Sequence, residues 1–350
     1  MRRAASILAV ALAAAAAGCT RKAAERADAA VRVGIVLSTG GRGDHGFNDA
    51  VLAGAGQAAR DLGADTAITE HLRDEGSPEA LAAYAREKRD LVVGISFLSS
   101  RPAFELAQAN PGVRFAVLDY SPVTDAQGRA EPPPANLAGV TYRSEEGAFL
   151  AGALAGLKSA THRVGFVGGM DAPVIRQFEA GYTAGVREVC PDCVVLVDYA
   201  GTTPAAFSDP ARGHALAAAQ LAAGADVIFH ASGATGAGVF QAVRESPPGH
   251  WAIGVDVDQN GEAPGRVLTS VTKNLGVSLV GLVREVKSGT FRGGVLSQGL
   301  SEGAVGYVYG DENRGLIPES AHLRVETLKE AIIAGLIRVP RAPARRVSGH

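Results

Sequence analysis

Within Ser38-Thr-Gly-Gly-Arg-Gly-Asp-His-Gly-Phe-Asn-Asp49 the chain sets a Gly41-x-Gly43-x-x-Gly46 spacing beside carboxylates, an imidazole, an aromatic ring and an amide. Glycines so spaced between a strand and a helix let backbone N–H groups approach a ligand, and phosphate is the usual guest. Asp44 argues against that chemistry, because a carboxylate inside the loop repels a pyrophosphate. The acidic residue expected about 20 positions beyond the glycines has no clear candidate, Glu70 coming late. No Gly-Lys-Ser/Thr follows, which excludes a P-loop. A dinucleotide-dependent enzyme is therefore the weaker reading of this loop, and one wall of a binding cleft the stronger. Phe47 and Asn48 then supply a ring and an amide for a neutral ligand.

A second phenylalanine, Phe207, lies in Ala206-Phe-Ser-Asp-Pro210, again in a loop ahead of a helix. The chain is only 5% aromatic, so two rings so placed are informative: rings on opposing walls can stack a flat heterocycle. Asp119 and Asp256 each end an apolar run and can accept from amino or hydroxyl groups; Lys273 adds a point-charge donor. Ser232-Gly233-Ala-Thr-Gly236 is another Gly-rich turn able to approach a ligand closely. Cys190-Pro-Asp-Cys193 lies between a helical run ending near Val189 and a strand, Val194 to Tyr199. With no second pair to complete a zinc site, it reads as a local disulfide or two free thiols, and no metal is expected.

The elements that must position these residues alternate between short apolar runs and longer helical ones, the signature of βαβ units and a mainly parallel sheet. Val31–Leu37, Asp65–Leu72, Leu91–Phe97 and Arg114–Leu118 read as strands; Ala50–Leu62, Pro78–Arg89 and Arg101–Ala109 read as helices. Asp125 to Asn136, with Pro132-Pro-Pro134, is a surface insertion. The scheme then repeats. Arg32-Val-Gly-Ile-Val36 matches Arg163-Val-Gly-Phe-Val167, Asp90-Leu-Val-Val93 matches Asp226-Val-Ile-Phe229, and Phe115-Ala-Val-Leu-Asp119 matches Ile253-Gly-Val-Asp256. Two similar α/β lobes follow, and since ligands bind beyond the carboxyl ends of parallel strands, both acids should face one crevice. A strand Val267–Val271 reaching Lys273, a helix Leu275–Lys287 and a last helix Leu328–Leu336 complete the body.

With 350 residues, 47% hydrophobic and net charge −2, the chain suits a two-domain globular body and lacks the basic face a nucleic-acid surface needs. Arg2-Arg3, the apolar Ile7–Ala17 and Ala16-Ala-Gly-Cys19 form an export signal too short to span a bilayer. The tetrapeptide resembles a bacterial lipobox, which makes Cys19 the lipidation site; an ordinary cleaved signal is the alternative. Residues 20–30 then form a polar, Ala-rich tether.

Six segments occur in a telling order: Gly43-Asp-His-Gly-Phe-Asn48, Gly181-Tyr-Thr-Ala-Gly185, Phe207-Ser-Asp-Pro-Ala-Arg212, Gly233-Ala-Thr-Gly236, Gly254-Val-Asp256 and Leu268-Thr-Ser-Val-Thr-Lys273. In this order the chain resembles the basic-membrane-protein family, lipoprotein substrate-binding proteins of ABC transporters that are similar to purine nucleoside receptors. The resemblance implies a type 1 periplasmic-binding fold: two Rossmann-like lobes, three interlobe crossovers and a hinged cleft. It also implies a non-enzymatic, cofactor-free, monomeric receptor, lipid-anchored outside the cytoplasm, that hands a nucleoside to an ABC permease. A sugar or other small metabolite on the same fold is the alternative. By resemblance Phe47 and Phe207 stack the base, Asn48 and Asp119 read its polar edge, and Asp256 and Lys273 hold ribose hydroxyls near Gly233. Gly46 stands where the family usually has Ser, so any hydroxyl contact made there is missing. The expected division is 1–19 signal, 20–30 tether, 31–142 with about 259–290 as lobe 1, 143–258 with about 291–320 as lobe 2, and 321–350 as helix and tail.

Overall fold

The computed structural model describes residues 30–70 and 78–343, so Cys19 and nearly all of the expected signal and tether lie outside the described residues. The first lobe begins with β1 (Arg32–Val36), α1 (Phe47–Leu62), β2 (Asp65–Thr69), α2 (Pro78–Arg86), β3 (Leu91–Ile95), α3 (Ser100–Ala109), β4 (Arg114–Leu118) and β5 (Leu137–Tyr142). The second repeats this with β6 (Arg163–Met170), α5 (Pro173–Val189), β7 (Val194–Gly201), α6 (Pro210–Ala222), β8 (Val227–Ala231), α7 (Gly236–Glu245), β9 (Trp251–Asp256) and β10 (Val267–Lys273). Between the two runs lies α4 (Ser144–Lys158). After the second come α8 (Leu275–Ser288), β11 (Gly294–Gln298), β12 (Val305–Tyr307), α9 (Asp311–Arg314) and α10 (Glu319–Ile333).

One sheet has the order β11-β5-β4-β3-β1-β2 and the other β12-β10-β9-β8-β6-β7. The first is parallel throughout, and in the second only β12 runs antiparallel, beside β10. The two lobes predicted from the sequence are therefore present, with the same strand order in each. Central strands β3 and β8 are buried along their whole length. That is why Leu91-Val-Val-Gly-Ile95 and Val227-Ile-Phe-His-Ala231 read as continuous apolar runs rather than alternating ones.

The expected lobe assignment beyond residue 258 is corrected. Strand β10 pairs with β9, so 267–273 belongs to the second lobe, whereas β11 pairs with β5, so 294–298 returns to the first. The physical reason is that β9 still needs an apolar neighbour after Asp256, and Val267-Leu-Thr-Ser-Val271 supplies it before the chain crosses. Crossings thus fall at 142–144, 273–275 and 298–305, the three that were expected.

Each crossing helix packs on the first helix of the lobe it enters. Helix α8 meets α1 where Gly276 touches Gly54, and any side chain on Gly54 would collide with the Gly276 backbone. Helix α4 meets α5 through Gly152, Gly181 and Gly185, whose missing side chains admit the carbonyls of Tyr182, Glu145 and Phe149. The segment Gly181-Tyr-Thr-Ala-Gly185 is thereby explained as a helix-packing seam. The inner faces of both sheets share one apolar cluster, running from Val33 and Ile35 to Phe166 and Phe229. Separate clusters fill the outer faces, around Leu81, Phe104 and Phe115 in lobe 1 and around Val239 and Phe240 in lobe 2.

Smaller differences have local causes. Helix α1 begins at Phe47, ahead of the expected Ala50, because side chains satisfy its first N–H groups. It ends where Gly63 turns left-handed (φ 65°) and donates to Ala58 and Ala59. The final helix is Glu319–Ile333 rather than Leu328–Leu336: Pro318 precedes it, and Val325, Leu328 and Ile332 form its buried stripe. Cys190 and Cys193 are joined as a local disulfide.

Candidate functional site

The jaw of lobe 1 is the 37–46 loop, and its shape comes from two aspartates. Asp44 Oδ1 accepts from the backbone N–H of Gly46 (3.0 Å) and Asp49 (3.2 Å). Its Oδ2 accepts from Asn48 N (2.8 Å) and Asn48 Nδ2 (2.9 Å). Asp49 accepts from Gly43 N (2.9 Å) and His45 N (3.1 Å). These side chains occupy N–H groups of the loop and of the α1 N-terminus that a bound phosphate would need. Gly40, Gly41 and Gly43 have positive φ, and His45 joins them at 52°, a conformation a histidine adopts at some cost.

Asn48 takes a different place from the one expected. It is fully buried, its Oδ1 accepts from Ser38 N (2.9 Å), and its amide donates to Asp44; it is not among the residues lining the cleft. Its hydrogen bonds shape the jaw. The amide looked available in sequence because its partner Asp44, one helical turn earlier, could not be recognised as a local acceptor.

Between the lobes lies a cleft of about 510 Å³, counting the part open to solvent. Phe47, Asp119, Phe207, Gly233, Asp256 and Lys273 all line it, as expected. Asp119 follows β4 and Asp256 ends β9, and both hold φ at 69°. The same uncommon backbone at the same place in each repeat turns both carboxylates out of the sheet ends and into the crevice. Gly233, at φ 56°, leaves room for Phe207, whose carbonyl would lie 3.2 Å from a Cβ placed there. A Cβ on Gly46 would lie 3.8 Å from Asp256 Oδ2, so a side chain at that position would face the same carboxylate.

The electrostatics are uneven. Lys273, at the end of β10, donates from Nζ to Asp119 Oδ2 at 3.1 Å, and both side chains are nearly inaccessible. Its ammonium also lies 5.4 Å from the ring centre of Phe47, 5.5 Å from Tyr142 and 5.0 Å from Phe178. Asp256 feels Lys273 only as a nearby charge. Burial pushes its carboxyl up to about 7; Lys273 opposes that shift, while Asp119 and Asp44 add to it. Asp44 is likewise raised, burial outweighing the N–H groups it accepts. Three acids line the cleft, and its ammonium is already paired with one of them, so the site offers more acceptors than free positive charge.

Several lining residues escaped the sequence reading. Ile175 and Phe178 come from the first turns of α5, and Ser96 and Phe97 follow β3. Ser96 stands to β3 as Ser232 stands to β8, so the repeat itself could have found it. Phe178 lies 131 positions after Phe47, the spacing that also relates Arg163 to Arg32, but its place inside a helical apolar pattern made it look like core.

The jaws meet at the cleft mouth. Gln259 Nε2 donates to the His45 carbonyl (3.0 Å), and His45 Nδ1 lies 2.7 Å from Glu262 Oε1. Gln259 is itself fixed: its Oε1 accepts from Val255 N (2.7 Å), which sets the amide orientation, and lies 3.1 Å from His230 Nε2. His230 is fully buried and burial pushes its imidazole down to about 4, so the neutral ring donates from Nε2 to Gln259.

A family model described as ABC transporter substrate-binding protein PnrA-like matches residues 31–341. Basic membrane protein A1 of Borrelia garinii subsp. bavariensis is 33% identical over 299 residues, covering 85% of each chain. The CD4+ T-cell-stimulating antigen of Listeria monocytogenes is 32% identical over 331 residues, covering 89% of this chain and 88% of the relative. An ABC transporter system solute-binding protein from Aeropyrum pernix K1 superposes with a TM-score of 0.79 at 28% identity, covering 90% of this chain and 94% of that one.

Proposed function

The chain belongs to the PnrA-like family of ABC transporter substrate-binding proteins, and from that premise we propose that it captures a nucleoside, of purine type, between its lobes. The observation that carries this reading is one cleft lined by a phenylalanine from each lobe, Phe47 and Phe207, together with Asp119, Asp256 and Lys273. Aromatic faces suit a flat base, and stacking is worth about 1–3 kcal/mol per base. Carboxylates suit amino and hydroxyl donors, since an ionised carboxylate only accepts. A phosphorylated ligand is disfavoured, because Lys273 is already paired and three acids surround the space.

Capture proceeds by a shift between open and closed arrangements. The ligand favours closure because only the closed form lets both walls touch it at once. Gln259 and Glu262 gripping His45 hold the mouth shut. Nothing in this scheme makes or breaks a covalent bond, so the protein binds and delivers, without catalysis or cofactor. Cys19 carries the lipid, 20–30 tethers the body, and the loaded monomer presents both lobes to an ABC permease outside the cytoplasm.

Calorimetry of the purified protein against inosine, guanosine, adenosine and free sugars tests this. One-to-one heat with a nucleoside is expected. Silence across the nucleosides together with binding of a free sugar would overturn it.

A further inference from the structure

Away from the cleft, the corner where α5 turns into β7 gathers His162, Cys190, Asp192 and Cys193. Sequence spacing gave no reason to join His162 to the cysteines. Strand pairing does so: Arg163 lies opposite Val194, and Val194 N donates to the His162 carbonyl at 2.8 Å. The ligand atoms of His162, Cys190 and Cys193 lie within 4.8 Å of one another. We propose that the reduced form of this corner is a binding site for a thiophilic divalent metal ion of zinc type, held by Cys190, Cys193 and His162 and oriented by Asp192.

Four observations support it. Two thiolates and an imidazole are a donor set that zinc accepts, with a fourth position left for water. Asp192 Oδ2 lies 2.7 Å from His162 Nδ1 and its Oδ1 lies 3.5 Å from Cys190 Sγ, so this carboxylate holds the imidazole beside the sulfurs; a carboxylate on one ring nitrogen is how metal-bound imidazoles are commonly oriented. His162 holds φ at 56°, an uncommon backbone for a histidine, at the turn that presents its ring to this corner. Cys190 is the C-cap of α5, at the negative end of the helix dipole, where a bound cation is favoured. The same position argues against a thiol-exchange enzyme, whose reactive cysteine is activated at a helix N-terminus. The Cα atoms of the pair are 5.3 Å apart. A tetrahedral ion with bonds of about 2.3 Å to sulfur sets its sulfurs roughly 3.7 Å apart, within reach of side-chain rotation. Both cysteines are buried while His162 is exposed, so the ion enters from the histidine side.

The conversion requires a dithiol reductant. The Cys190–Cys193 sulfur–sulfur bond breaks, the reductant closes its own disulfide, and two electrons and two protons pass to the cysteines. The metal then displaces those two protons to solvent. The corner is thus closed by a covalent bond under oxidising conditions and by a metal under reducing ones.

The test uses purified protein reduced with a dithiol, desalted without oxygen and titrated with cobalt(II). One cobalt per chain is expected, with thiolate charge-transfer and tetrahedral d–d bands that stoichiometric zinc abolishes. Oxidised protein and the Cys190→Ser/Cys193→Ser variant should show no bands. Asp192→Asn, at an exposed position, should weaken zinc binding about tenfold or more, and His162→Ala should weaken it further and shift the d–d bands. Reduced protein without bands, or His162→Ala with an unchanged spectrum and affinity, would overturn the proposal.

Discussion

The two lobes share a strand order but build their cleft walls differently. In lobe 1 the first strand reaches its helix through 37–46, a loop stiffened by Asp44 and Asp49, and the wall it offers is largely polar. In lobe 2 the same connection is only 171–172, so α5 starts at once and its own apolar face, Ile175 and Phe178, becomes the wall. The matched aspartates diverge too: Asp119 is neutralised by Lys273, while Asp256 is left to burial and its acidic neighbours. The two scaffolds share one strand order; the loop lengths and one lysine make them unequal partners. The jaw ahead of α1 is thus mainly polar and the face of α5 apolar.

The largest test of that inequality concerns packing rather than ligand. Gly185→Ala would drive a methyl into the Phe149 carbonyl at a seam of three glycines, and should cost on the order of 3 kcal/mol or more. Gly54→Ala in lobe 1 meets only the Gly276 backbone and should cost less, in the range of about 1–3 kcal/mol. Chemical denaturation compares the two, and equal losses would mean the lobes are fastened alike.

The next effect is on pH. The folded protein favours the acid form of Asp256, whose ordinary value is 3.8 and whose folded value is about 7. This group's contribution to unliganded stability is therefore complete below about pH 4, falls as pH rises, and is gone above about 7. The span is on the order of a few kcal/mol. Asp256→Asn should remove that slope from melting curves taken between pH 4 and 8. Since ligand donors need the carboxylate, wild-type affinity should rise at least about tenfold from pH 5.5 to 8. A flat profile would show that Asp256 does not titrate across this range.

Phe47→Ala and Phe207→Ala should each weaken nucleoside binding by about 1–3 kcal/mol in calorimetry. A loss confined to one of them would show that one lobe alone stacks the base. Unchanged affinity with a lower melting temperature would return that ring to the core. Smallest is Glu262→Ala, which removes the side-chain partner of His45 Nδ1 across the cleft mouth. Ligand release should quicken about fivefold, the worth of roughly 1 kcal/mol, with association unchanged in stopped-flow traces.

What the sequence disclosed was whatever the repeat recorded twice or a rare residue type marked. Asp119 and Asp256 were legible because both end an apolar run, and Phe47 and Phe207 because rings are scarce and loops expose them. The burial of Asn48 was not legible because its partner Asp44 is a local acceptor whose direction depends on loop torsions. Ile175 and Phe178 were invisible because a cleft-facing helix residue has the same periodicity as a core-facing one. The lobe boundary beyond 258 was misjudged for a similar reason: an apolar run declares a strand, not the sheet it will join.

The three crossings also bear on how the protein comes into being. Sheet 1 is finished only when 294–298 pairs with β5, more than 150 residues after that strand is made. Sheet 2 waits for 305–307. Neither lobe corresponds to a contiguous stretch of chain, so no fragment ending near the midpoint is a whole lobe. The half synthesised first keeps an open edge beside β5 until almost all of the polypeptide has arrived. For such a chain, the last strand of each sheet is added only when synthesis is nearly complete.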